Sequence, residues 1–108
     1  MKNHRIAWPL AVAAALALAS GAASAAGPEE ALNKAGCMAC HSKDKKLVGP
    51  SFKDIAAKYK GKDVVAQLVD KVRKGGSGVF GPIPMSPNGP DKIDDADLKA
   101  AIEFILKS

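Results

Sequence analysis

An all-α fold of about four helices is what this sequence predicts, and three observations predict it. Apolar residues recur at helical spacing in separate stretches. Acid-led starts and glycine stops bound those stretches. No region alternates apolar and polar residues well enough to make a strand. At 108 residues the chain has room for one domain and little else.

The first 26 residues differ in composition from the rest. Lys2, His4 and Arg5 open them, an alanine-leucine run follows from Ile6 to Ala19, and small residues close them from Ser20 to Ala26. That is the pattern of a secretory signal peptide, and the chain is expected in the periplasm after cleavage. The apolar run is shorter than the ~20 residues that span a bilayer core. An uncleaved membrane anchor is the competing reading. Cleavage after Ala25 or after Ala26 fits the small-residue rule, the second being preferred. Residues 27–108 then form the mature domain. Without Lys2 and Arg5, 16 basic residues become 14 against 11 acidic ones, a formal charge of +3. So mild a balance points to acidic protein partners rather than nucleic acid.

Pro28 followed by Glu29 and Glu30 starts the first helix, with acids at the positive end of the dipole. It is expected to run through Ala31, Leu32 and Ala35 to the cysteines. Phe52, Ile55, Ala56 and Tyr59 share one face of a second helix that Gly61 ends. Val64, Val65, Leu68, Val69 and Val72 mark a third, from about Asp63 to Lys74, halted at Gly75-Gly76. The fourth starts at an Asp94 cap and buries Leu98, Ala101, Ile102 and Ile105. Between the third and fourth lies Gly75 to Pro90, rich in glycine and proline, a long loop of the kind that usually carries function. Phe52, Tyr59, Phe80 and Phe104 are the only mature aromatics. A domain this small commonly needs a staple, and something besides side chains is expected at its centre.

Cys37-Met38-Ala39-Cys40-His41 is C-x-x-C-H, the attachment signature of c-type haem. On a helical turn, positions i, i+3 and i+4 share a face, so both thiols and the imidazole point the same way. The sulfurs then form thioethers with the two haem vinyl groups and set His41 against the iron. His41 is the only mature histidine, which excludes a bis-histidine centre and limits the chain to one haem of this type. Three readings compete: a thioredoxin-like dithiol, which needs a βαβ context; half of a zinc site, which wants four ligands; and a structural disulfide.

Gly81-Pro82-Ile83-Pro84-Met85 supplies the second half of the site. Two prolines fix their φ angles and stiffen the segment, so Met85 can be held toward the iron at low entropic cost. Ordinary core packing is the alternative for Met85, with solvent or substrate then completing the iron. Met38 sits inside the attachment turn and should be unable to reach the opposite haem face.

These residues resemble the small class I bacterial c-type cytochromes of the cytochrome c-551 family. The likeness spans Gly27 to Ser108. It is carried by Lys34-Ala35-Gly36 leading into the cysteines, by Leu47-Val48-Gly49-Pro50, by Gly78-Val79-Phe80-Gly81-Pro82-Ile83-Pro84-Met85, and by Pro87-Asn88. It implies the class I cytochrome c fold around one covalent haem c, with His41 and Met85 as axial iron ligands. It further implies a hydrogen bond from His41 to the Pro50 carbonyl, an Asn88 amide close to the axial sulfur, and Lys71 near a haem propionate. Phe80 departs from the family's frequent tryptophan, losing an N–H donor to that propionate.

An iron closed on both sides has no position for oxygen or peroxide, so the expected role is electron transport and not enzymatic catalysis. A monomer is expected, passing electrons between redox protein partners. Lysines 34, 43, 45, 46, 71, 74 and 92, with Arg73, would frame the exposed haem edge and steer acidic partners. A haem enzyme or gas sensor is the rival from another class, and a dithiol oxidoreductase the second.

Overall fold

The computed structural model describes residues 27–108. The signal peptide expected over residues 1–26 lies outside the described residues. Four α-helices run in the order α1 (Pro28–Lys34), α2 (Phe52–Lys58), α3 (Val65–Lys74) and α4 (Asp95–Leu106), with a 3-10 turn at Cys37–Ala39. Among the described residues the only β-type pairing is two isolated bridges, His41 with Lys46 and Gly76 with Met85.

The helices begin and end where local chemistry dictates. Ser51 caps α2 by accepting the Asp54 amide at 3.0 Å. Asp94 caps α4 by accepting the Asp97 amide at 2.7 Å, as the sequence predicts. Past α3, Gly75 takes φ +70°, a left-handed angle that only glycine adopts freely. Two boundaries differ from expectation. α1 stops at Lys34 instead of reaching the cysteines, because Gly36 turns left-handed at φ +82° and breaks the α-helical ladder. α3 begins at Val65 rather than Asp63.

The C-terminal helix organises the core, packing against α1, α2 and α3 in turn. It contributes Leu98, Ala101, Ile102 and Ile105, which meet Leu32 of α1, Phe52 of α2 and Leu68 of α3. Each large apolar side chain buried there stabilises the fold by about 1.5–3 kcal/mol. Phe104, on the same helix, is only partly covered. Among the described residues the large exposed apolar ones are Leu47, Val48, Val79, Phe80 and Ile83. All five lie in the loops that flank α2 and follow α3, away from the helical core.

Candidate functional site

The cysteines and the histidine lie on a single tight turn. The Cys37 carbonyl accepts both the Cys40 amide at 3.1 Å and the His41 amide at 3.0 Å, so residues 37, 40 and 41 are wound onto one side. Both thiols are free; Cys37 is half-buried and Cys40 exposed. Burial pushes the Cys37 thiol up, against a backbone hydrogen bond and the Lys92 charge, which lower it. Met38 turns inward and packs against the helical core, beside Leu32, Phe52 and Phe104. It is a packing residue.

His41 is held on three sides. Its Nδ1 lies 2.8 Å from the Pro50 carbonyl oxygen, the contact that the family resemblance implies. A carbonyl only accepts, so Nδ1 is the donor in this bond and Nε2 is the ring nitrogen left to face a metal. The ring stacks on Phe52 at 5.9 Å between centroids and 22° between planes. Gly49 covers a further edge so closely that a Cβ there would lie 2.6 Å from Cε1. The segment 42–51 is folded to make this cage, with the Gly49 amide on the Cys40 carbonyl at 2.8 Å and the Phe52 amide on the Ser42 carbonyl at 2.9 Å.

Met85 is held by backbone. Its N–H and C=O exchange hydrogen bonds with Gly76, both at 2.9 Å, so the loop after α3 closes on itself at the methionine. Three residues on, the Asn88 amide donates to the Val72 carbonyl at 3.0 Å. The Asn88 side chain donates to the Ser86 carbonyl at 3.0 Å, which leaves its second N–H for another acceptor. Lys71 Nζ lies over Gly76, 3.2 Å from where a Cβ would stand, and so beside the foot of the loop. Phe80 has the Lys58 ammonium over its ring at 5.5 Å, a cation–π contact across to α2.

The residue set fits a covalently tethered porphyrin. Two thiols and a metal-ready imidazole share one turn, and a thioether is fastened at the foot of a separate loop. The five exposed apolar side chains all belong to the two loops that carry these groups. The competing readings lack their structural context. No strand, and so no βαβ unit, occurs among the described residues. Nor does any group of three or more His, Cys, Asp or Glu able to hold a metal.

The family model for cytochrome c matches residues 25–108. The chain belongs to the cytochrome c family. It is 49% identical over 82 residues to cytochrome c2 of Rubrivivax gelatinosus, covering 75% of this chain and 96% of that protein. Cytochrome c-551 of Azotobacter vinelandii is 46% identical over 79 residues, covering 72% and 93%. The crystal structure of Nitrosomonas europaea cytochrome c552 superposes with a TM-score of 0.66 at 45% identity, covering 73% of this chain and 96% of that one. The protein is therefore a small class I c-type cytochrome. It carries one covalent haem c and works in electron transfer, not as an enzyme.

The docking cations expected from sequence are not all free. Arg73 is largely buried, at 17% exposure, and its guanidinium is spent on the protein itself. Lys43 pairs with Glu29 and lies over the Phe104 ring, and Lys74 pairs with Asp70 at 3.1 Å. Sequence reasoning missed the Phe52 stack and the close approach of Gly49. The Val48-Gly49-Pro50 run was the available signal for the second.

Proposed function

We propose that the protein is a periplasmic single-electron carrier whose haem is attached through Cys37 and Cys40 and ligated axially by His41 and Met85. Haem supplies the one-electron Fe(III)/Fe(II) couple. The rest is the work of this chain. The Pro50 carbonyl orients the His41 ring and raises its basicity through the proton on Nδ1. Phe52 and Gly49 prevent the ring from rotating. Met85, a neutral donor, favours the less charged ferrous state, and together with His41 it leaves no open position for an exogenous substrate. Asn88 brings a spare amide proton to the methionine's neighbourhood, and Lys71 places a cation at the loop's foot for a propionate.

The observation that carries this reading is the His41–Pro50 bond at 2.8 Å, which leaves Nε2 free to bind a metal. Export is supported by the composition of residues 1–26. Among the described residues no helix is long and apolar enough to cross a membrane. The free lysines 34, 45, 46 and 92 suit acidic redox partners met by a monomer.

The test is the mass and visible spectrum of the exported protein beside Met85→Ala. A mass increase of one haem and a methionine–iron charge-transfer band are expected. Met85→Ala should keep the haem, lose the band, turn high-spin and fall in potential. An unchanged spectrum in that variant rules out Met85 as ligand, and alkylatable thiols in the mature protein rule out the attachment.

A further inference from the structure

Arg73 lies in the last turn of α3, on the side where the loop bearing Met85 returns to the helix. Its Nη1 donates to the Asn88 carbonyl at 3.2 Å and to the Ile93 carbonyl at 2.8 Å, while Nη2 meets the Asp95 carboxylate at 2.6 Å. One side chain thus joins the last turn of α3, the exit of the loop and the first turn of α4. Asn88 is held at both backbone groups by consecutive residues of α3, its N–H by Val72 and its C=O by Arg73. Met85 is thus fastened at its own backbone by Gly76 and three residues later at Asn88. The loop beyond Gly76 is exposed along most of its length and carries one internal backbone bond, Gly78 to Gly81 at 2.9 Å. The loop itself adds little to these fastenings, so weakening either one shifts the balance toward lifting.

We infer that Arg73 is a positioning residue for Met85: by gripping the Asn88 carbonyl it fastens the loop's exit to α3 and opposes withdrawal of the thioether from the iron. This rests on the ligand role given above to Met85. A planar guanidinium reaches three acceptors at fixed angles, whereas a lysine ammonium in its place would act as a single point charge. The Asp95 arm is the minor one. That carboxylate is 89% exposed, and an ion pair so open to water contributes little. The two carbonyls, in contrast, accept from no other side chain among the described residues.

Loop release can be read directly in the ferric holoprotein by titration with imidazole, which binds only once the methionine has left. Its apparent affinity scales with the fraction of molecules whose loop has opened. Arg73→Gln is expected to bind imidazole about tenfold more tightly than the parent, the effect of losing charge-assisted bonds to two carbonyls. Arg73→Lys should fall between the two, and Asp95→Asn should stay within about twofold of the parent. Met85→Ala, measured alongside, marks the fully open limit. If Met85→Ala titrates like the parent, the ligand assignment fails. If it differs from the parent while Arg73→Gln and Arg73→Lys do not, the ligand assignment stands and the clamp is wrong. A lower unfolding midpoint for the Arg73 variants with unchanged imidazole affinity overturns the clamp in the same way. Should Arg73→Gln not fold, Arg73→Lys decides alone: tighter binding than the parent supports the clamp, and equal binding sinks it.

Discussion

The histidine half of the site is seated on the helical core, whereas the methionine half hangs from the end of one helix. His41 follows the cysteine turn directly, stacks on a phenylalanine that is 1% exposed, and is bonded to a carbonyl just before a capped helix. Displacing it means disturbing α2. Met85 has no such backing. Its fastenings are a two-bond backbone pair with Gly76 and the Asn88 contacts with Val72 and Arg73, all at the C-terminal end of α3. The difference teaches that one proposed ligand is part of the folding problem and the other part of a local equilibrium. Loop opening can then occur far below the free energy of global unfolding.

The sharpest way to break this contrast is Phe52→Ala. It removes both a core side chain and the support of the His41 ring, and should cost about 3–5 kcal/mol in denaturant unfolding. Met85 ligation should fail only as the whole protein unfolds. Gly75→Ala probes the other half. Gly75 sits at φ +70°, and a Cβ there would strike the Met85 carbonyl and lie 2.9 Å from the Pro87 nitrogen. The backbone strain alone is about 1–3 kcal/mol. The charge-transfer band should disappear at lower denaturant than the helical circular dichroism. Coincident loss of the two signals would erase the distinction between the halves.

Smaller effects refine it. Gly49→Ala crowds Cε1 and Nδ1 of His41, at 2.6 and 3.0 Å from the added carbon. Weakening the Pro50 bond should cost up to about 1.5 kcal/mol. It should also raise the reduction potential as the imidazole becomes less basic, which a redox titration reads. Ser51→Ala removes the α2 cap, at a cost of about 1 kcal/mol. It should leave both the potential and the imidazole affinity where they were. A shift in either would mean that α2 also controls the methionine side.

Much of the scaffold was legible in the residues. The Asp94 cap, the stop at Gly75 and the buried stripe of α4 all follow from local spacing and local hydrogen bonding. The C-x-x-C-H segment is likewise wound as its spacing predicts, with residues 37, 40 and 41 on one side. What escaped depends on contacts between distant segments. Nothing near Arg73 in the chain shows that residues 88, 93 and 95 return to it. Counting it among surface cations was the natural inference from charge alone, and burial overturns it. The early end of α1 has a nearer cause. Ala35 favours helix, but Gly36 adopts a left-handed angle that no helix propagates. The Gly76–Met85 pairing is likewise invisible to periodicity, since one bridge between two loop residues has no repeat.

That pairing also separates the tip of the loop from everything beneath it. Because residues 76 and 85 already touch, the stretch 77–84 enters and leaves the molecule at one point, and lengthening it adds little closure entropy. Its side chains can change without breaking the Gly76–Met85 pair or repacking a helix. Variation confined to those residues is a route to new contact surfaces on a centre whose chemistry stays constant.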